Sequence, residues 1–252
     1  MKTDTVEAYT SFAAVYDTFM DNVPYQMWSH FLHKQLVAFD AKEGLVVDLG
    51  CGTGSMTELL ADLGYDMIGI DNSAEMLEIA LNKKVQSNHD ILYLLQDMRE
   101  FELYGTVKAM ISICDCLNYI TEAAELGQVF HWVENYLEPG GVFIFDFNTD
   151  YKYRELLGNQ TIAENREECS FIWENYYYEE ERINEYQLSL FVKEGNLYRR
   201  FQETHFQRGY TLTEMQEMLA TTKLEFIKAY DGFSEKPVTK TSERILIIAR
   251  KR

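Results

Sequence analysis

The sequence predicts a doubly wound α/β domain, an open parallel sheet with helices on both faces, interrupted late in the chain by an antiparallel β insertion. Three observations carry this. Short apolar runs alternate with amphipathic stretches between residues 45 and 147, the pattern of strands buried on both faces and joined by helices. A glycine-rich turn, Gly50-Cys51-Gly52-Thr53-Gly54, follows the first run directly. After Asn148 the texture becomes dense in Tyr, Phe, Glu and Arg, with polar/apolar alternation, which suits antiparallel strands.

Taken in order, residues 7–39 carry aromatics at helical spacings and predict two helices broken near Pro24. The apolar runs 45–49, 67–71, 91–95, 107–114 and 142–147 predict five strands. Between them, 55–63 with Gly64 as its stop, 74–83 and 123–137 predict helices, the last ended by Pro139-Gly140-Gly141, which cannot continue a helix. Stretches 170–178, 187–193 and 198–208 predict the inserted sheet, with Glu194-Gly195-Asn196 as a hairpin turn. Thr211-Leu212-Thr213-Glu214 is a capping box opening a helix to about residue 222, and 224–230 and 244–249 predict two final strands. The implied division is a helical segment over residues 1–40, an α/β domain over 41–158 and 209–252, and a β insertion over 159–208. The insertion would serve as a lid, a substrate element or a homodimer contact, and Tyr176-Tyr177-Tyr178 before Glu179-Glu180-Glu181 reads as a hairpin with a solvated acidic tip.

Composition narrows the function classes. With 46% apolar and 25% charged residues, the chain can build an ordinary core. No apolar run approaches the roughly 18–20 residues that span a bilayer, and the first ten residues lack the apolar core of a signal peptide. The expected address is cytoplasmic. Against 23 basic residues stand 41 acidic ones, a net charge of −18, which repels phosphate backbones and disfavours nucleic acid as substrate. Cys51, Cys114, Cys116 and Cys169 form no CxxC pair and no zinc-like cluster with histidine, so no metal is expected and all four read as reduced thiols.

The sharpest signal is Asp48-Leu49-Gly50-Cys51-Gly52-Thr53-Gly54 at the carboxyl end of the first strand, where open α/β sheets bind ligands. Glycines there allow positive φ and let a ligand lie against bare backbone. A dinucleotide turn would want a small residue, ideally glycine, at Ser55, and an acid before the turn would repel a pyrophosphate. The acid suits a cationic group instead. Asp71 ends the second strand before Asn72, Gln96-Asp97-Met98 follows the third, and Asp115 to Tyr119 follow the fourth.

D-x-G-x-G-x-G on a strand resembles motif I of class I S-adenosylmethionine-dependent methyltransferases, whose core is a Rossmann-like doubly wound sheet. Tyr9-Thr10-Ser11-Phe12-Ala13-Ala14-Val15-Tyr16-Asp17 and Pro24-Tyr25-Gln26-Met27-Trp28 resemble the amino-terminal helices of the YqeM-like bacterial subgroup, a resemblance that covers most of the chain. It implies S-adenosyl-L-methionine as cofactor. Asp48, Gly50, Cys51 and Gly52 would surround the amino-acid end, Asp71 and Asn72 the ribose, and Met76, Gln96, Asp97 and Met98 the adenine. Tyr16, Tyr25 and Trp28 would shield the sulfonium by cation–π contact, with Cys114 beside it. Asp115, Asn118, Tyr119 and His205 are candidates for the acceptor, and the other histidines fall away from the sheet's carboxyl edge. Asp115-Cys116-Leu117-Asn118-Tyr119 is not the N/D-P-P-Y/F motif of amino-methylating nucleic-acid enzymes.

What the resemblance implies is methyl transfer to a small-molecule acceptor. Since a sulfonium is an activated leaving group, the protein's main task is to align the partners in a dry pocket; a base is needed only where the acceptor's proton must leave early. No residue can be singled out as catalytic, and neither the acceptor nor its reacting atom is legible. An RNA or protein methyltransferase working with a partner that masks the negative charge, and a non-catalytic S-adenosylmethionine-binding module, are the alternatives; a nicotinamide-dependent reductase is a distant one.

Overall fold

The computed structural model describes residues 12–252, so residues 7–11 of the first expected helix lie outside the described part. Helices α1 (Ala13–Phe19) and α2 (Tyr25–Ala38) flank the break at Pro24. Then β1 (Leu45–Leu49), α3 (Ser55–Asp62), β2 (Asp66–Asp71), α4 (Ala74–Ser87), β3 (Leu92–Leu95), β4 (Val107–Ser112), α5 (Ala123–Tyr136) and β5 (Leu137–Asn148) alternate as expected. Strands β6 (Thr161–Asn165), β7 (Cys169–Tyr178), β8 (Ile183–Glu194) and β9 (Leu197–Arg208) follow. The chain closes with α6 (Leu212–Ala220), β10 (Leu224–Asp231) and β11 (Arg244–Lys251).

Two sheets result. The larger has seven strands in the order β10-β11-β5-β4-β1-β2-β3, parallel from β5 to β3 and antiparallel at β11 and β10. Strands β6 to β9 form a separate antiparallel sheet in sequence order. From β1 the chain winds outward through β2 to β3 and then returns to β4 on the other side of β1. The switch point, where such sheets leave a crevice, therefore lies between β1 and β4.

Side-chain alternation along the strands divides the core. Val47 and Leu49 on β1 and Phe143, Phe145 and Phe147 on β5 face α5 and α6, where Phe130, Val133, Met215 and Leu219 are buried. Val46, Ala109, Ile111, Val142 and Ile144 face the other way, onto Leu32 and Leu36 of α2 and Met56 and Leu60 of α3. Burying each large side chain is worth about 1.5–3 kcal/mol. A third cluster joins Val15 and Phe19 of α1 to Phe171, Leu188 and Leu190 of the second sheet.

Several boundaries differ from expectation, each for a local reason. The expected strand 107–114 stops at Ser112, because Cys114 and Asp115 take positive φ of 62° and 54°. Strand β5 starts at Leu137 rather than 142, and Pro139-Gly140-Gly141 forms an irregularity inside it: Val107 pairs with Leu137, but Ala109 already pairs with Val142. Helix α4 runs on to Ser87, where Asn88 caps it in the left-handed region. Unforeseen were β6 as a separate strand and a π-helical turn at Lys152–Leu157. The capping box of Thr211 and Glu214 and the two-residue turn Gly195-Asn196 form as expected. Among the described residues no helix is long and apolar enough to cross a membrane.

Candidate functional site

Three glycines after β1 take positive φ, but they serve different ends. A Cβ on Gly50 would stand 2.8 Å from Cys116 Sγ, and one on Gly54 would collide with the Tyr93 hydroxyl. Those two let neighbouring elements close in. A Cβ on Gly52 would meet nothing within 4 Å, because Gly52 opens onto a cavity of about 450 Å³, within the range that holds small ligands. The cavity crosses the carboxyl ends of β3, β2, β1 and β4 in spatial order. Gln96, Asp97, Met98 and Arg99 line one end, Asp71, Asn72, Ser73 and Met76 the middle, and Cys114, Cys116, Tyr119 and Tyr16 the other.

Asp71 organises the middle. Its Oδ2 accepts from the Gly52 N–H at 2.8 Å and its Oδ1 from the Ser73 N–H at 2.9 Å. Ser73 in turn caps α4 by accepting from the Met76 N–H at 3.2 Å. Burial pushes the Asp71 carboxyl upward, while the backbone donors of Ser73, Gly52 and Asn72 oppose the shift. Two fixed amides thus hold a half-desolvated acid at the cavity wall, where remaining lone pairs can accept from a ligand. A bare backbone at Gly52 and an acid aimed beside it fit a nucleoside carrying a cationic amino acid.

Asp48 lies elsewhere. Alternation on β1 turns it to the α3 side, where it is 1% exposed and Oδ2 accepts from Thr57 Oγ1 at 2.7 Å. Burial and the nearby Asp71 raise its pKa to about 7 against the pull of Thr57, and its Oδ1 has no hydrogen-bond partner. It supports the turn from beneath and does not line the cavity, and Cys51 is likewise buried outside it.

At the β3 end, Arg99 grips Asp97 through Nε at 3.0 Å and Nη2 at 2.6 Å and also reaches Glu125. That hydrogen bonding keeps the Asp97 carboxyl below its usual range. The acid expected to meet the adenine amine is thus already engaged by a guanidinium, although it still lines the cavity with Gln96 and Met98.

At the β4 end, Tyr16 brings α1 to the cavity, while Tyr25 stands behind it and accepts from Cys114 Sγ at 3.7 Å. Burial raises the pKa of Tyr16, Tyr25 and Cys114, so all three are neutral. Trp28 does not line the cavity; it stacks on Phe233 at 4.1 Å, and the Arg244 guanidinium lies over its ring, 5.5 Å from the centre. Helix α1 is fixed by Asp17, which pairs with Lys83 of α4 at 2.7 Å and accepts from Thr53 Oγ1 at 2.7 Å.

Of the four acceptor candidates, only Tyr119 lines the cavity. Asn118 is fully buried and clamps the chain: it accepts from the Asn148 N–H at 2.8 Å and donates to the carbonyls of Asn148 and Arg208. Asp115 is turned into a polar cluster, where it accepts from Arg244 Nη2 at 2.5 Å and Gln207 Nε2 at 2.8 Å. Arg244 also pairs with the buried Asp146; burial opposes its charge, but Asp146 and Asp115 outweigh that and hold it protonated. His205 is 1% exposed and touches Tyr119 rather than the cavity, with Nδ1 3.2 Å from the phenol oxygen. The other histidines sit apart: His30 on its own helix, His33 by Tyr65, His89 by Glu58 and His131 by Glu134. Ile70, Ser73, Glu75, Arg99, Cys116 and Ile120 also line the cavity and were not foreseen. Ser73 and Glu75 could have been found from their place at the start of α4, directly after Asp71. Among the described residues no group of His, Cys, Asp and Glu could hold a metal ion.

Comparison with known proteins bears on this geometry. A family model described as a methyltransferase domain matches residues 46–141, the stretch from β1 into β5. YqeM of Bacillus subtilis (strain 168), which by its name is assigned to methyl transfer, is 35% identical over 244 residues, covering 96% of this chain and 97% of its own. An S-adenosylmethionine-dependent methyltransferase from Clostridium acetobutylicum ATCC 824 superposes with a TM-score of 0.88 at 31% identity, covering 97% of this chain and 99% of that one. CalS10 from Micromonospora echinaspora, an amino pentose methyltransferase solved with S-adenosylmethionine bound, shares the fold at a TM-score of 0.75 and 17% identity, over 98% of this chain and 99% of its own.

Proposed function

Because the chain belongs to the YqeM family of S-adenosylmethionine-dependent methyltransferases, we propose that it methylates a small-molecule acceptor held at the β4 end of the cavity. One observation carries the reading: the cavity of about 450 Å³ runs on past Asp71 and Met76 to Cys114, Cys116 and Tyr119, and the space at that end suits a small acceptor beside the nucleoside. A net charge of −18 adds to this by repelling nucleic acid. The amino pentose methyltransferase with the same fold is a precedent for a small acceptor.

In this reading Asp71 accepts from the ribose hydroxyls and Asn72 stands beside it. Met76 and Met98 pack on the adenine, with Gln96 and Asp97 at its edge. Gly52 lets the amino-acid portion lie on bare backbone, Gly50 lines the cavity beside it, and Asp48 fixes the turn below. Tyr16, backed by Tyr25, closes the cavity beside Cys114 and keeps water from the reacting centre. The bound cofactor supplies an activated methyl group on a positive sulfur.

The test is calorimetry with S-adenosylhomocysteine, followed by transfer of tritiated methyl label to fractions of a bacterial extract. Expected are binding on the micromolar scale, label in the small-molecule fraction, and a loss of affinity of at least tenfold in Asp71→Ala, since hydrogen bonds to a charged group are worth about 1.5–3 kcal/mol. Label confined to RNA or protein would refute the small-molecule acceptor, and unchanged binding in Asp71→Ala would refute the assignment of the cavity.

A further inference from the structure

The inward face of β9 is inverted relative to an ordinary half-buried strand. Glu203, His205 and Gln207 are buried, at 2%, 1% and 4% exposure, while Phe206 between them is 47% exposed. A strand built only for packing would turn the phenylalanine inward, because burying three polar side chains is costly unless each is hydrogen-bonded. A local rule broken in this way points to a functional demand.

The bonds made by these residues have a direction. Glu203 Oε1 accepts from the Phe12 N–H at 2.8 Å, and Oε2 lies 3.1 Å from His205 Nε2. A carboxylate can only accept, so Nε2 is the donor in this pair, and in the neutral ring Nδ1 presents a lone pair. That lone pair faces the Tyr119 hydroxyl at 3.2 Å. Tyr186 stacks on the imidazole at 4.7 Å with planes 9° apart and bonds its own hydroxyl to that of Tyr119. Tyr119 is the member of this set that lines the cavity, beside Cys114 and Cys116. Carboxylate, imidazole and hydroxyl in series is the arrangement that prepares a hydroxyl to exchange its proton.

We propose that Tyr119 is a catalytic residue that takes the acceptor's proton, with His205 and Glu203 as its positioning residues, and that the acceptor therefore carries an O–H or N–H that must be lost. The proposal rests on the cavity being the site of methyl transfer. As the acceptor's lone pair bonds the methyl carbon, the carbon–sulfur pair stays on sulfur. The acceptor's proton moves to the Tyr119 oxygen, and the Tyr119 proton moves to His205 Nδ1. The positive charge lost at sulfur reappears on the imidazolium, next to Glu203. Atoms and charge balance without a further reactant, and the imidazolium proton returns to water after the product leaves.

Two measurements test this. Long-range proton–nitrogen correlation NMR on protein with 15N-labelled histidine reads the tautomer without any acceptor. His205, assigned as the ring whose Nδ1 resonance shifts in Tyr119→Phe, is expected to be neutral and protonated on Nε2; an Nδ1-protonated ring, or an imidazolium in the resting protein at neutral pH, overturns the relay. In the second measurement, the small-molecule fraction of a bacterial extract serves as acceptor. Tyr119→Phe is expected to slow single-turnover label transfer about 10²–10⁴-fold, with S-adenosylhomocysteine affinity within a few-fold of wild type. Transfer at the wild-type rate overturns the proposal. Failure of the wild-type protein to bind S-adenosylhomocysteine would instead count against the cavity assignment, and the NMR result is independent of it.

Discussion

Asp48 and Asp71 end neighbouring strands 23 positions apart in the chain, yet their surroundings set them different tasks. Asp71 is held by two backbone amides and faces the cavity; Asp48 is buried with one hydroxyl partner and a pKa raised to about 7. For a raised carboxyl the sign is plain: its stabilising contribution is complete below the ordinary carboxylate range and is lost as pH rises through about 7. Asp48→Asn keeps an acceptor for Thr57 and removes the charge. Its stability relative to wild type should therefore increase from pH 5 to pH 8, by on the order of 1 kcal/mol or more, measured by urea unfolding at each pH. A difference that does not vary with pH would mean that Asp48 stays ionised in the fold. Both acids were legible in the sequence as strand-tip carboxylates, but their division of labour was not. It depends on which way each position faces on its own strand, β1 for Asp48 and β2 for Asp71, and on Thr57 lying across from one of them.

Helix α1 has only seven residues, too short to be stable alone, so its position comes from what it touches. Phe19 meets Phe171 of the second sheet edge-on at 4.8 Å, and Asp17 ties the other side to Lys83 and Thr53. Tyr16 is carried to the cavity between these two anchors. Asp17→Ala leaves the apolar anchor and removes the polar one, a loss of about 1–2 kcal/mol for charge-assisted bonds that are partly exposed. Hydrogen exchange across residues 12–20 should then quicken roughly 5- to 30-fold, with exchange in β1 unchanged; equal protection in both proteins would show that Asp17 contributes nothing. The sequence marked this region as helical from its aromatic spacing. It could not show the link to Lys83, which depends on α3 and α4 packing side by side. The start of β5 was missed for a similar reason: Pro139-Gly140-Gly141 reads locally as a break, whereas pairing with β4 absorbs it as an irregularity.

Across the whole molecule, the acidic excess and the ion pairs respond to salt in opposite directions, and their magnitudes decide the outcome. Most of the pairs outside the Arg244 cluster are partly exposed, as with Lys34–Glu235 and Arg99–Glu125, and such pairs contribute about 0–1 kcal/mol each. Repulsion among an excess of 18 negative charges opposes the compact state and is screened once the Debye length falls to roughly 8 Å near 0.15 M salt. The melting temperature should accordingly rise by a few degrees between low salt and that concentration; a fall would show that the ion pairs outweigh the repulsion. Fold class was readable at this scale because periodicity and glycine placement are local signals. The contacts between distant segments were not. Tyr119 and His205 are 86 residues apart in the chain and Asp115 and Arg244 are 129 apart, and no spacing rule connects them.

Strand β11, the last in sequence, lies inside the sheet, hydrogen-bonded to β5 on one side and β10 on the other. During synthesis β5 therefore emerges about a hundred residues before its neighbour, with its phenylalanine-rich border unprotected. A ribosome-bound chain halted before Arg244 would lack both that neighbour and the guanidinium that pairs with Asp146, leaving one border of β5 open and an acid without its partner.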